Sequence, residues 1–261
     1  MAEQRFALLA ATRIVAVSRY TEALLVELGV PEDRIRIVHP GCDVNRFGPV
    51  GVSDELRARV TQGRAHQHLI LTVGNLVERK GHDTVIRALP LLPKGANDVL
   101  YLIAGDGPYR AALEKLAADL GVASQVLFLG RVPSDELPLL YSLADSFVMV
   151  SRQRLDACDV EGFGIVFIEA AACGKPAIGG RSGGVQDAIV DGVTGLLVDP
   201  LDSAAVANAI TSLLLNPGLR ERLGTAARER ALRHFTWSRF TDNVAAILEE
   251  VHAEHGRVAP Q

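Results

Sequence analysis

From Leu69 onward the chain alternates short apolar runs with stretches of helical pattern, and that alternation restricts the fold more than any other feature. The runs are LILTVG, VLYLIAG, QVLFLG, DSFVMV, PAIGG and GLLVD, with helices predicted from His82 to Leu92 and from about Pro108 to Leu120 after the first two. Brief runs rich in Val, Ile and Leu are the pattern of strands buried on both faces, and helices between them supply the crossovers that parallel neighbours need. The reading is an α/β fold: a Rossmann-like parallel sheet with helices on both faces. Ligands of such sheets bind in the crevice outside the C-terminal ends of the strands. Four loops fall there, GNLVERKG (74–81), GDGP (105–108), residues 151–163 and GGRSGG (179–184), so the chemistry is expected along one edge.

The 261 residues suffice for a core, and 48% of them are hydrophobic, as in ordinary globular chains. A formal net charge of −4 argues against a nucleic-acid partner. No apolar run reaches the roughly 18 residues of a membrane-spanning helix, and charges stand where a signal peptide would have its core. A cytoplasmic location is expected. Cys42, Cys158 and Cys173 are odd in number and widely spaced, which suits neither a disulfide framework nor a zinc site. The histidines are scattered, no D-x-D stands at a strand end, no G-x-G-x-x-G occurs, and Gly174-Lys175 runs into a proline. Metal, dinucleotide and phosphate-loop chemistry are therefore not indicated.

The segment EGFGIVFIEAAACGKPAIGGRSGG, from Glu161 to Gly184, concentrates the candidate chemistry. Its apolar middle reads as a buried helix beginning near Gly164. Helix starts have free N–H groups and the positive end of the helix dipole, and Gly162 and Gly164 let a ligand approach the backbone, so a phosphate is expected there. Glu169 falls in the second turn of an otherwise apolar helix. An ionised carboxylate so placed only accepts hydrogen bonds and suits hydroxyls such as those of a ribose. Glu161 precedes the helix by a span that would reach roughly 12 Å even if fully helical. Paired glycosidase carboxylates stand roughly 5–9.5 Å apart, so the two glutamates are read as holding different parts of one elongated ligand. Arg79 and Lys80 follow a strand directly and can neutralise a diphosphate leaving group. GDGP is read as mostly structural, and Gly183 and Gly184 either line a sugar pocket or only form a turn. Arg152 and Arg154, in a long loop, face a charged acceptor or, more simply, solvent.

The E-x(7)-E spacing with its internal GFG, followed by CGKPAIGGRSGG, resembles glycosyltransferase family 4, the retaining, nucleotide-diphospho-sugar-dependent enzymes of the two-domain GT-B fold. The resemblance runs from about Arg5 to the C-terminus through VAVSRYT, VHPGCDVNRF, LTVGNLVERKG, LIAGDGPYRAALE, FLGRVPSDELPLLYSLAD and DGVTGLLVDP, and its wording is similar to that of actinobacterial mannosyltransferases. It implies the C-terminal, donor-binding half of GT-B and a GDP- or UDP-linked sugar as substrate, with no metal. By resemblance Lys80, with Arg79, stabilises the departing diphosphate, aided by the helix start at Phe163, Gly164 and Ile165. Glu161 touches the donor sugar near the reacting carbon, Glu169 holds the ribose, and the backbone around Val132 in GRVP meets the base. Where the family usually has arginine after the first glycine, this chain has Asn75.

The resemblance also divides the chain. Residues 1–50 read as the tail of an acceptor-binding domain plus linker, 51–235 as the nucleotide-sugar domain, and 236–261 as a crossover helix whose partner is lacking. Two short strands before Gly51, RIVAVS and RIRIVH, make a poor sheet on their own and leave an edge open. The expected activity is transfer of a hexose, mannose foremost, to an acceptor hydroxyl of a glycan or a lipid, with peripheral membrane contact in the second case. An isolated half would bind donor but transfer little, and would seek a second copy or a partner subunit. The alternative is a non-catalytic nucleotide-sugar-binding module or split-enzyme subunit.

Overall fold

A computed structural model describes residues 7–153 and 159–256. After a helical turn at residues 7–10 the chain forms strand β1 (Ile14–Ala16), helix α1 (Arg19–Glu27) and strand β2 (Ile35–Ile37), and the two strands pair in parallel. Ser18 starts α1 by accepting a hydrogen bond from the Thr21 N–H, as an N-cap serine does. Helix α2 (Asp54–Val60), capped in the same way by Ser53, leads into the main sheet.

That sheet has six parallel strands: β3 (His68–Val73), β4 (Val99–Ala104), β5 (Val126–Gly130), β6 (Ser146–Met149), β7 (Ala177–Gly180) and β8 (Gly195–Val198). Their order in space is β5-β4-β3-β6-β7-β8. Counted from β3 this is 3-2-1-4-5-6, the doubly wound Rossmann order, whose direction of winding reverses between β3 and β6. The connecting helices are α3 (His82–Ala88), α4 (Arg110–Asp119), α5 (Leu137–Leu143), α6 (Ile165–Ala172) and α7 (Val185–Ala188). Helices α8 (Ser203–Leu215), α9 (Pro217–His234) and α10 (Trp237–Gly256) complete the chain.

The two-residue period of a strand sends alternate side chains to opposite faces, and the sheet divides its apolar residues accordingly. Leu69, Leu71, Leu100, Leu102 and Phe147 join one core with residues of α5, α6 and α9. Ile70, Tyr101, Ile103, Val148 and Ile178 join the other with residues of α3, α4 and α8. Each fully buried aliphatic side chain stabilises the fold by about 1.5–3 kcal/mol, so continuous apolar strands are what a sheet covered on both faces requires.

The first crossover helix is shorter than predicted. It stops at Ala88 and continues as a 3-10 turn over Leu89–Leu91, because Pro90 has no N–H to close the next α-helical bond. The final helix does not lack a partner, contrary to expectation. Glu250 takes Arg13 at 3.0 Å and Arg36 at 2.5 Å, and Glu254 also pairs with Arg13, which ties α10 to the β1–β2 segment. The Cys42 N–H donates to the Phe235 carbonyl at 2.7 Å, and Cys42 bridges Thr236, so the linker and the lead into α10 run side by side. Among the described residues no third strand joins the β1–β2 pair, and the Val15 side chain is exposed.

Candidate functional site

The site is built where the sheet changes winding direction. After β3, the Gly74 N–H donates to Ala104 O, Leu76 N–H to Asp106 O and Tyr109 N–H to Leu76 O, so GDGP is stitched to the β3 loop backbone to backbone. The chain then makes a 3-10 turn over Glu78–Lys80 and, through a left-handed Gly81, enters α3. This turn aims two cations at the loop that follows β6. Arg79 Nη1 lies 2.9 Å and Lys80 Nζ 2.5 Å from the same oxygen, Oε2 of Glu161, while Arg79 Nε is 2.6 Å from Asp159. The side chains of Lys80 and Glu161 are 12% and 13% exposed, so these are not solvated surface charges. Two cations facing two carboxylates meet the requirement that half-buried charge be compensated.

The Glu161 backbone is itself pinned. Its carbonyl accepts from the Gly184 N–H at 2.9 Å, and a Cβ on Gly183 would stand 2.4 Å from that carbonyl. Gly183 and Gly184 therefore set the position of Glu161 through close backbone approach. Gly164, at φ +88°, is the N-cap of α6; the Phe167 N–H already donates to its carbonyl, which leaves those of Ile165 and Val166 without an intrahelical acceptor. Phe163 is buried and stacks on His39 at 5.2 Å between ring centres, which anchors the turn instead of presenting a ring to a ligand.

Glu169 lies one turn into α6, where its Oε2 accepts a hydrogen bond of 2.7 Å from the Tyr141 hydroxyl of α5. Burial pushes the Glu169 carboxyl above the usual glutamate range, opposed by that hydrogen bond and by the charge of Arg46. Tyr141 was not foreseen. The question that would have found it is which donor a carboxylate in an apolar helix meets, and LPLLYSL offers one hydroxyl in an otherwise apolar helix apart from Ser142.

A cleft of about 470 Å³ opens beside this cluster at the ends of β3, β4 and β5, with Gly74, Asn75, Asp106, Arg131, Val132 and Leu137 in its wall. It brings the sequence-derived Asn75 and Val132 together. It adds Arg131, an exposed cation with no protein partner among the described residues, on the same wall as the asparagine. A groove of about 460 Å³ containing Arg57, Arg64, His66 and Asp98 opens at the opposite ends of β3 and β4. Its two arginines are taken up by backbone carbonyls, those of His66 and Val126 among them.

The reading of Arg152 is corrected. It faces neither solvent nor an acceptor: its guanidinium lies 3.1 Å from Asp83 and 3.5 Å from Glu78, and its N–H donates to Arg79 O at 2.8 Å. It braces the β6 loop against the β3 loop. Arg154 and Cys158 lie outside the described residues. Among the described residues no three His, Cys, Asp or Glu side chains are grouped to hold a metal.

Fold and site together define a Rossmann-like α/β domain with a basic loop facing a carboxylate at the switch point of its sheet. The chain belongs to the glycosyl transferases group 1 family, whose model matches residues 55–230, and the glycosyltransferase family 4 model matches residues 1–46. It is 38% identical over 237 residues to a GDP-mannose-dependent alpha-(1-6)-phosphatidylinositol monomannoside mannosyltransferase of Mycolicibacterium smegmatis, matching 90% of this chain and 61% of that one. It is 37% identical over 265 aligned positions to a D-inositol 3-phosphate glycosyltransferase of Acidothermus cellulolyticus, matching 97% of this chain and 56% of that one. Anabaena Alr3699/HepE, solved in complex with UDP and glucose, superposes with a TM-score of 0.81 at 25% identity over 92% of this chain and 63% of its own. The chain thus spans about three fifths of the length of these relatives, and the expected Rossmann-like parallel sheet with helices on both faces is the one found.

Proposed function

We propose that this chain is the donor-binding part of a retaining glycosyltransferase that moves a hexose from a nucleoside-diphosphate sugar to an acceptor hydroxyl. The observation that carries the reading is the convergence of Arg79, Lys80 and Glu161 at the switch point, beside the α6 start and the 470 Å³ cleft. Lys80 and Arg79 offset the charge that develops on the departing diphosphate, and the free N–H groups of α6 add to the same field. Glu169, oriented by Tyr141 through one carboxylate oxygen, keeps its other oxygen for the ribose hydroxyls. The base lies against the backbone near Val132, and Asn75 and Arg131 flank the path between base and phosphates. Glu161 serves the sugar. Its Oε2 now neutralises both cations, so an arriving diphosphate takes them over and frees the carboxylate for sugar hydroxyls.

Mannose on a guanosine diphosphate carrier and a glycosylated inositol lipid acceptor are favoured by the Mycolicibacterium relative's name, and an inositol-bearing acceptor by the names of both relatives. The proposal includes a division into residues 1–50 on the acceptor side, 51–235 for the nucleotide sugar and 236–261 as crossover helix. It also includes a cytoplasmic location with peripheral membrane contact; no helix among the described residues is long and apolar enough to cross a membrane. The exposed Val15 on the two-stranded β1–β2 sheet supports a covering partner, either a second copy or another subunit. Calorimetric titration with GDP, UDP and their sugar conjugates tests the reading. Saturable binding of a nucleoside diphosphate without added metal is expected, and absence of binding by every member of the panel would overturn it.

A further inference from the structure

The charges around the 3-10 turn of Glu78–Lys80 are sorted in a way that the roles above do not use. Three cations, Arg79, Lys80 and Arg152, stand among four carboxylates, those of Glu78, Asp83, Asp159 and Glu161. Carboxylates outnumber cations where a further anion is to be received, so the pairing decides whether the anion is admitted. Asp159 and Glu161, on the β6 loop, take Arg79 and Lys80. Glu78 and Asp83 are the sequence neighbours of those two cations, one directly before Arg79 and the other three positions after Lys80. Both of them are contacted by the guanidinium of Arg152.

That guanidinium is held on several sides. Its side chain is 11% exposed, against 14% for Asp83, which lies in the first turn of α3. Nη1 and Nη2 are each 3.1 Å from Oδ2 of Asp83, and Nη2 is 3.5 Å from Glu78. Nη1 also donates to the Thr84 hydroxyl at 3.3 Å, and that hydroxyl donates onward to the Pro200 carbonyl at 2.9 Å. A planar fork with five N–H donors can serve two carboxylates and a hydroxyl together, which the point charge of a lysine cannot. The mechanical tie between the β3 and β6 loops is separate. It is the Arg152 N–H on Arg79 O, backbone to backbone, and a change of the side chain leaves it in place.

We infer that Arg152 is a positioning residue for the donor diphosphate: by occupying Asp83 and Glu78 it keeps Arg79 and Lys80 from being drawn to their own sequence neighbours, and so reserves both cations for the ligand. The inference rests on the donor-binding reading above. Without the guanidinium, Asp83 would be a largely buried carboxylate with its compensation removed, a costly state that attracts any cation within reach. Lys80, across the short link of Gly81 and His82, is such a cation. An arriving diphosphate would then compete with Asp83 as well as with Glu161.

The test separates charge from bracing. Affinities of GDP, UDP and the parent nucleosides are measured by calorimetry for wild type, Arg152→Gln, Asp83→Asn and the double variant, alongside unfolding temperatures. Arg152→Gln is expected to lose about tenfold in nucleoside diphosphate affinity, the scale of one unit charge acting across a partly buried site, and less for the nucleoside. Asp83→Asn in that background removes the released carboxylate and is expected to recover most of the loss, which repair of a mechanical brace would not do. A double variant as weak as Arg152→Gln at matched stability, or equal losses for nucleoside and nucleoside diphosphate, would overturn the inference. If Arg152→Gln does not fold, Asp83→Asn alone decides: nucleoside diphosphate affinity at or above that of wild type is expected, and a loss confined to the diphosphate would overturn it. Failure of wild type to bind any nucleoside diphosphate would instead remove the donor-binding reading itself.

Discussion

Glu161 and Lys80, 81 positions apart in the chain, meet at 2.5 Å across the switch point of the sheet, and Arg79 reaches the same carboxylate oxygen. The contact makes Glu161 a built-in counter-ion of the two cations proposed to receive a diphosphate. Glu161→Gln should therefore tighten binding of a nucleoside diphosphate by about 0.5–1.5 kcal/mol, since a charged competitor is removed. The same variant should lower the unfolding temperature, because Lys80 and Arg79 lose compensation. Calorimetry and thermal unfolding check the two halves; weaker diphosphate binding by a folded variant would contradict the competition.

Lys80→Ala should cost more affinity for the nucleoside diphosphate than for the unphosphorylated nucleoside, by about 1.5–3 kcal/mol for a hydrogen bond to a charged group. Arg131→Ala, at an exposed side chain with no protein partner among the described residues, should weaken nucleotide binding without shifting the unfolding temperature. Titrations at low and high salt separate the two, since the exposed cation is screened more strongly.

Glu169 carries a pH signature. Burial raises its folded value above the ordinary one, so the folded state binds more protons than the unfolded state between those values. Its contribution to stability falls as pH rises through that window, whereas ribose binding by the ionised carboxylate improves. Tyr141→Phe removes the hydrogen bond that lowers the value, and should move the acid limb of nucleotide affinity to higher pH. Affinity measured from pH 4 to 8 in both proteins decides it, and an unshifted limb would dissociate Glu169 from the ribose.

The neutral, buried His82 acts with the opposite sign. Its value is depressed from 6.5 to about 4, so the unfolded state takes up the extra proton and stability is lost as pH falls from about 6.5 to about 4. The full contribution is roughly 3 kcal/mol at 1.36 kcal/mol per unit. Denaturant titrations across that range should show a shallower acid loss in His82→Gln than in wild type.

Legibility followed the range of the interaction. All six strands of the main sheet stood out as apolar runs because burial on both faces leaves few polar positions, and Glu161, Arg79 and Lys80 carried charges in loops beyond strand ends, where a parallel sheet places its ligands. Strand order was not readable, since a crossover pattern does not say on which side of β3 the next strand lies. The partner of Glu169 and the brace at Arg152 were hidden for a similar reason. Tyr141 lies 28 positions from its carboxylate and Arg152 lies 69 positions from Asp83, so only tertiary packing brings each pair together.

The side-by-side run of Cys42 against Phe235 and Thr236 has a mechanical consequence. The polypeptide crosses between the β1–β2 segment and the main sheet twice, and the crossings are hydrogen-bonded to each other. A twist between the two parts would have to pull Cys42 away from Phe235, and the bonds of Arg19 to Asp187 add a third tie beside the two crossings. The clasp of Arg13 and Arg36 on Glu250 makes α10 travel with the N-terminal strands in such a motion. Any displacement of the N-terminal strands over the Glu161 loop would therefore carry the last helix with it and would have to part Arg19 from Asp187.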